Sequence, residues 1–348
     1  MCGEQLIFCS LGLFIIDEIH FSNGRSLFDV LGGGGTFAIV GSRIVLGNRY
    51  SKRCGWVVDI GNDCPQVIEE KLKSWNTGGV YRYHRNRTCN HGWNKYGTNE
   101  FRQFHFTNKP IFITLTDILT HRQLLYSRSF HFISSPDHCL TVLRKLDEVR
   151  GKEDKPFIVW EPDPDDCTQN MLSECVPVLR EIDVLSPNAA ECASFLGMSE
   201  PRDTRGCEAV ANRFLPYMTK TLYSAIVLRC GEMGSLLMTH KQIKWFPPYY
   251  INQNKVVDPT GCGNTFVGAF TTGYVLSKGN LSAACICGTL ASGISIETHG
   301  APTLSKGSMD ELWNGLSFKN RARIYLQDNK KLSITYSEFI SLIQVDNI

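Results

Sequence analysis

Short apolar runs alternate along the chain with stretches in which apolar residues recur at helical spacing. Runs of this length, rich in branched and aromatic residues, are typical of buried strands. They lie at residues 6–16, 37–46, 111–115, 157–160, 182–185 and 225–228. Strands that alternate with helices predict an α/β fold, a doubly wound three-layer sandwich with a mainly parallel central sheet.

The same pattern predicts an α/β domain over residues 1–302 and a helical extension over 303–348 that packs on it. Helical spacing around residues 309–327 and 337–344 indicates the extension. The first apolar run, residues 6–16, is too short to span a bilayer, and no basic segment precedes it. We therefore expect a buried first strand, no signal peptide and no membrane association.

Composition narrows the class of protein further. Of the 348 residues 43% are apolar and 20% are charged, as in ordinary globular proteins. The net charge of +2 is too small to indicate wholesale binding to nucleic acid or membranes. The 14 cysteines are scattered without a C-x-x-C pair, so we expect free thiols and a cytoplasmic location.

One segment, residues 81–106, is both basic and aromatic, and Glu100 is its only acid. Two interpretations stay open for this basic aromatic segment. It forms strands and an exposed loop, or it forms a surface on which cations and stacking rings bind nucleic acid or phosphorylated ligands. Its cations and rings are Tyr81, Arg82, Tyr83, Arg85, Arg87, Trp93, Lys95, Tyr96, Phe101, Arg102, Phe104 and Phe106.

The most informative feature is a turn of small residues, Gly261, Cys262 and Gly263, which we call the glycine turn. A strand-like apolar run at 256–257 precedes it, and apolar residues at helical spacing follow it. A helix that begins at such a turn presents unpaired N–H groups and its positive dipole end, which together bind phosphate. An acid at the end of the turn could activate a hydroxyl for attack on phosphorus, but the residue there is Asn264.

The segment resembles the D-T-x-G-A-G-D signature of the PfkB (ribokinase-like) carbohydrate kinases. Asp258, Thr260, Gly261 and Gly263 match it, Cys262 replaces a small residue, and Asn264 replaces the catalytic aspartate. The resemblance implies that the glycine turn is an anion hole for ATP, used with magnesium. It also implies that Asp258 lies near a monovalent cation such as K⁺, and that Thr260 contributes to nucleotide binding.

On the acceptor side, the resemblance implies that Asp17, which ends an apolar strand, binds sugar hydroxyls. The four consecutive glycines at 32–35 resemble the family's first glycine motif, with Gly33 and Gly34 at the substrate. Thr36 or Phe37 stands where the family has an asparagine. The alternative is a flexible turn between a strand and a helix.

On the nucleotide side, Asn188 and Glu191 match the family's N-x-x-E motif, which holds magnesium through water. The alternative is a plain helix cap. Arg229, Gly231 and Gly234 resemble the strand and turn beside the nucleotide, and the segment 291–301 resembles the one that closes that site. For Arg229 the alternative is a solvated surface arginine.

Three functions remain open, because an amide cannot accept a proton at neutral pH. The chain is a catalytically weakened nucleotide-binding protein that acts through partners, an active kinase for a sugar or nucleoside hydroxyl, or an RNA- or particle-binding scaffold. The four glycines, the glycine turn and Asn264 are most similar to a fungal Mak-type branch of the family. That resemblance implies a role in the stability of double-stranded RNA virus particles. In the family, strands near 18–30 and 80–107 form a lid over the sugar, through which members often dimerise, so a homodimer is one expectation.

Overall fold

The computed structural model describes residues 5–97, 102–151, 154–308 and 310–344. Its strands are β1 (Phe8–Ser10), β2 (Ile15–Phe21), β3 (Ser26–Gly32), β4 (Cys54–Gly55), β5 (Val57–Ile60), β6 (Val80–Tyr83), β7 (His91–Tyr96), β8 (Arg102–Phe106), β9 (Ser129–Ser134), β10 (Phe157–Pro162), β11 (Val184–Leu185), β12 (Ala225–Arg229), β13 (Ser235–Thr239), β14 (Ile243–Phe246), β15 (Leu304–Lys306) and β16 (Glu311–Trp313). Its α-helices are α1 (Gly34–Leu46), α2 (Gln66–Ser74), α3 (Leu115–Leu119), α4 (Arg122–Leu125), α5 (Pro136–Arg150), α6 (Leu172–Leu179), α7 (Ala189–Ser194), α8 (Thr204–Asn212), α9 (Cys262–Leu276), α10 (Leu281–Ser295), α11 (Phe318–Asp328) and α12 (Tyr336–Leu342).

The predicted doubly wound α/β sandwich is confirmed. An eight-stranded sheet runs in the order β14-β13-β12-β11-β10-β9-β1-β4, parallel from β4 to β12 and antiparallel beyond. Alternate side chains of each strand point to opposite faces. In β10, Val159 joins the core under α1, α9 and α10, whereas Ile158 and Trp160 join the core under α5 to α8. The carboxyl ends of the parallel strands therefore share one edge, where ligands bind in such folds.

Three of the predicted strands are wrong. Residues 37–46 lie in helix α1, of which nearly every residue is buried. A helix buried on all sides has no polar face, so its sequence is indistinguishable from a strand by periodicity. Residues 111–115 contain no strand, and residues 256–257 before the glycine turn are irregular. Residues 6–16 divide into β1 and the start of β2, with irregular residues 11–14 between them.

A second sheet, the lid, has the strand order β3-β2-β7-β8 and matches the expected lid segments in part. Strand β6, in the segment expected at 80–107, pairs with β5 instead of joining the lid. Glu100 and Phe101 of the basic aromatic segment lie outside the described residues. Because β2 leaves the main sheet directly after β1, the lid lies over the carboxyl edge of that sheet.

The residues after 303 form the β15–β16 hairpin and helices α11 and α12; Met309 and residues 345–348 lie outside the described part. The Arg43 guanidinium donates to both Glu311 oxygens at 2.7 and 2.5 Å, and Arg321 pairs with Glu297 at 2.5 Å. These two ion pairs join the C-terminal residues to α1 and to the segment after α10. Among the described residues, no helix is both long and apolar enough to cross a bilayer, and none of the thirteen cysteines forms a disulfide.

Candidate functional site

The glycine turn has the backbone that its sequence suggests. Gly261 is the N-terminal cap of α9 with φ 74°, the left-handed region that favours glycine, and it supplies no side-chain cap. A Cβ at this residue would also lie 2.2 Å from the Phe37 ring. Both the conformation and the space therefore require glycine. The first N–H groups of a fifteen-residue helix receive no bond from a capping side chain, as an anion site requires.

Helices α1 and α9 cross closely enough to bring two distant glycine motifs together. A Cβ at Gly41 would lie 2.0 Å from the Thr265 carbonyl oxygen, and one at Gly268 would lie 1.9 Å from the Ala38 oxygen. At the ends of the same helices, a Cβ at Gly34 would lie 3.3 Å from Asn264 Nδ2. The predicted acceptor motif and the predicted base position are therefore neighbours.

Asn264 is bonded to a carboxylate that the sequence interpretation missed. Its Nδ2 donates to Glu161 Oε2 at 2.8 Å. Glu161 lies near the end of β10 and is only 6% exposed. The local signal was present, since an acid ends the apolar run at 157–160 much as Asp17 ends the first one. Without the fold, nothing in the sequence connects Glu161 with Asn264.

Glu161 is also bonded to two cationic or ionisable neighbours. His131 Nε2 lies 3.0 Å from the Oε2 atom, and Arg229 Nη2 lies 2.7 Å from Oε1. Burial raises the pKa of Glu161, but Arg229 and the bonds from His131 and Asn264 outweigh it, so the pKa lies below its ordinary value. Glu161 is therefore a carboxylate at neutral pH.

Arg229 is not the solvated surface arginine that the sequence left open. Its side chain is 13% exposed and lies between Glu161 and Glu191, whose oxygens are 2.7 and 3.4 Å from Nη2. A Cβ at Gly263 would lie only 1.9 Å from its Nη1, so the guanidinium packs directly against the glycine turn. Burial lowers the pKa of Arg229, but the two glutamates outweigh it and raise the pKa above the usual value.

The family of the chain follows from comparison with known proteins. The model of the pfkB family of carbohydrate kinases matches residues 32–306. The chain belongs to the pfkB family. It is similar to Protein MAK32 of Saccharomyces cerevisiae, with 37% identity over 91% of each chain. In fold it is similar to a ribokinase from Giardia lamblia (TM-score 0.68, 15% identity, 85% of this chain and 94% of that one). An adenosine kinase from Anopheles gambiae is also similar (TM-score 0.65, 16% identity, 85% and 97%).

The pfkB resemblance predicts that Asn188 and Glu191 hold magnesium through water, and in the structure the two residues bond to each other. Asn188 caps α7, and Glu191 bonds back to it in a reciprocal capping box at 2.7–2.8 Å. Burial, with Glu161 nearby, raises the pKa of Glu191. Glu191 also lies 3.4 Å from Arg229 Nη2, and a magnesium role for Asn188 and Glu191 stays a prediction. The helix cap is the observed arrangement.

The four glycines at 32–35 are explained by close protein contacts. Gly33 has φ 96°, and a Cβ there would lie 2.3 Å from the Leu13 oxygen. Added Cβ atoms at Gly32, Gly34 and Gly35 would lie 1.9–2.4 Å from Asp17, Ile133 and Gly12 respectively. These contacts require glycine for packing, and an approach of Gly33 and Gly34 to a substrate stays a prediction. The four residues form the end of β3, the N-terminal cap of α1 and its first residues, so they join a strand to a helix as the alternative interpretation also expected.

Asp17 and Thr36 are buried in this structure. Asp17 is 5% exposed, and its carboxylate fills the space above Gly32 and Gly92 of the neighbouring lid strands. Thr36 is fully buried, and its hydroxyl has no hydrogen-bond partner within the described ranges. Neither side chain is open to a sugar in this structure, and substrate binding by Asp17 and Thr36 stays a prediction.

Asp258 and Thr260 are turned toward the lid. Asp258 Oδ1 accepts from the Thr260 N–H at 2.8 Å and from the Tyr96 hydroxyl at 3.0 Å, and Oδ2 lies 3.2 Å from His299 Nδ1. Tyr96 also bonds to the Thr260 hydroxyl. Both Asp258 oxygens thus have protein partners, and the K⁺ site stays a prediction.

Gly231 and Gly234 frame the short turn between β12 and β13, at φ 54° and 90°. A Cβ at Gly234 would lie 2.1 Å from the Phe246 oxygen, which accounts for that glycine by packing. A contact with nucleotide stays a prediction for both.

Two arginines of the basic aromatic segment already have hydrogen-bond partners within the protein. Arg82 donates to both Asp59 oxygens at 2.7 Å and also pairs with Asp117. Arg87 bonds to the Thr88 carbonyl oxygen at 2.9 Å. Arg82 would lose its ion pairs on binding phosphate, whereas Arg85 and Lys95 are exposed, and binding of RNA or phosphorylated ligands by the segment stays a prediction.

Proposed function

We propose that this chain binds adenine nucleotide through the glycine turn and transfers its phosphate slowly or not at all. The supporting observation is the bond from Asn264 Nδ2 to Glu161 at 2.8 Å. An amide cannot accept a substrate proton at neutral pH, and this one is also held in place by its bond to a buried carboxylate. The turn beside it keeps the geometry that favours phosphate.

The size of the expected defect follows from the role of a general base. Loss of such a base slows a reaction by about 10²–10⁴, or about 3–5 kcal/mol of barrier. Positioning and charge stabilisation supply most of the remaining acceleration in phosphoryl transfer. Slow residual transfer to a sugar or nucleoside hydroxyl is compatible with this proposal.

Nucleotide binding is expected to stabilise the protein without rapid turnover. At a concentration of ATP with magnesium 100-fold above Kd, the free energy of unfolding should rise by about 2.7 kcal/mol. Thermal unfolding with and without ATP measures this, and a panel of sugars and nucleosides measures transfer. The absence of stabilisation, or turnover at the rate of ordinary kinases, would contradict the proposal.

An active kinase is the second candidate, and Glu161 is the observation that favours it. A carboxylate bonded to the residue at the base position is the nearest substitute base at the site. Its lowered pKa makes it a weak one. Loss of turnover in Glu161→Gln would favour this candidate.

We propose the stability of double-stranded RNA particles as the cellular role, with the chain acting through protein partners. This rests on the Mak-type resemblance and on 37% identity with Protein MAK32. Loss of the particles when the gene is deleted, with rescue by the wild type, is the expected result. Unchanged particle levels after deletion would contradict it.

A further inference from the structure

We infer that Glu161 lowers the affinity of the glycine turn for phosphate. It pairs with the Arg229 guanidinium, and a bound phosphate must replace Glu161 as the partner of that guanidinium. This inference rests on the proposed nucleotide binding and names the residue that regulates it. Glu161 is a positioning residue in this role, because it acts on the ligand through Arg229.

Arg229 lies directly beside the glycine turn. Its Nη1 atom lies 1.9 Å from the point that a Cβ of Gly263 would occupy. The guanidinium therefore lies against the same turn to which the proposed function assigns the phosphate. A cation at a helix N-terminus opposes the helix dipole, so it requires an anion beside it. In the described structure Glu161 supplies the nearer anion, at 2.7 Å from Nη2, and Glu191 lies farther away, at 3.4 Å.

Arg229 also has a donor that no protein atom in the described ranges uses. Its Nε is buried and has no hydrogen-bond partner among the described residues. The guanidinium has five N–H donors in a planar fork that matches the oxygens of a phosphate. Buried donors are normally bonded, so this Nε is a donor that a bound ligand can use. Phosphate oxygens supply such an acceptor.

Glu161 has two further hydrogen-bond partners besides Arg229. His131 at 3.0 Å and Asn264 at 2.8 Å hold its carboxylate in place from β9 and α9. If Arg229 turns toward a phosphate, Glu161 keeps two bonds and stays where it is. Its negative charge then opposes the ligand. Glu161 therefore weakens phosphate binding twice, by competing for Arg229 and by repulsion.

The variant Glu161→Gln removes the charge and keeps the shape of the side chain. We expect its Kd for ATP with magnesium to fall by about tenfold or more, because charge pairs at this distance commonly contribute at least that factor. The Kd for adenosine, which has no phosphate, should not change. Titration calorimetry of ATP, ADP and adenosine measures the effect and its growth with phosphate number.

Two matched variants separate local from general effects. Glu148→Gln removes one charge from an exposed pair with Lys145 on α5 and should leave every Kd unchanged. Adding Arg229→Gln to Glu161→Gln should abolish the gain, because the cation that the phosphate takes is then absent. If Glu161→Gln does not fold, Glu161→Asp retracts the carboxylate from Arg229 and should give a smaller gain for ATP.

The outcomes distinguish this inference from the proposed function. Wild type that binds ATP, with no gain in Glu161→Gln, would overturn the inference and leave the function standing. A gain for adenosine equal to that for ATP would overturn it as well. Wild type that fails to bind while Glu161→Gln binds would support the inference against the proposed function. Failure of both proteins to bind would overturn both.

Discussion

Asn264→Asp alone is expected to restore little phosphoryl transfer, although it recreates the aspartate that serves as general base in the family. Glu161 Oε2 lies 2.8 Å from Asn264 Nδ2, which becomes a carboxylate oxygen in the variant. Two carboxylates are then in contact. Like charges at this distance share a proton, and the pKa of one carboxyl rises strongly. The new aspartate would then be protonated, or held by Glu161, when a substrate hydroxyl approaches.

The double variant Asn264→Asp with Glu161→Gln is expected to be far more active. The introduced glutamine amide can donate to the introduced aspartate, which reverses the observed bond and leaves one carboxylate at the base position. Recovery of a general base corresponds to a gain of about 10²–10⁴ in turnover over wild type. Transfer from ATP to a panel of sugars and nucleosides, followed across pH, measures the gain.

The control for this pair is Glu161→Gln alone, which should bind ATP more tightly without gaining turnover. A large gain in Asn264→Asp by itself would show that Glu161 does not restrain the new aspartate. An inactive double variant that still binds ATP would show that acceptor recognition is lost as well. The burial of Asp17 and Thr36 makes that a specific concern for the acceptor side.

Glu311→Ala is expected to destabilise the protein by about 3–5 kcal/mol, because it leaves the Arg43 guanidinium buried without its anion. Arg43 is 1% exposed, and its Nε donates to the Trp75 carbonyl oxygen at 2.7 Å. The ion pair with Glu311 is bidentate, at 2.7 and 2.5 Å. Urea unfolding followed by tryptophan fluorescence measures the loss.

An exposed pair nearby supplies the control. Lys319 and Asp310 lie 3.0 Å apart, with side chains 53% and 40% exposed. Lys319→Ala should cost less than about 1 kcal/mol, because water screens such pairs. Replacing both buried partners, as Arg43→Met with Glu311→Leu, should recover most of the stability. A loss in Glu311→Ala no larger than that of the control would show that the ion pair does not hold the C-terminal residues in place.

The sequence by itself determined the α/β class, the family, the glycine turn and the amide at position 264. These are local properties, since apolar runs, glycines at fixed spacing and one substituted residue can be read within about ten positions. Helix α1 was misread for the same local reason, because a helix buried on every side has no polar face to reveal its period.

Only the tertiary structure decided what surrounds the base position. Glu161 and Asn264 are 103 residues apart in the chain, and the order of parallel strands brings the end of β10 to the start of α9. The sequence named Arg229 without its partners, and it named the four glycines without the protein atoms that contact them. Contacts between distant segments depend on topology and packing, which no local pattern specifies, and here those contacts place Glu161 and Arg229 beside the glycine turn.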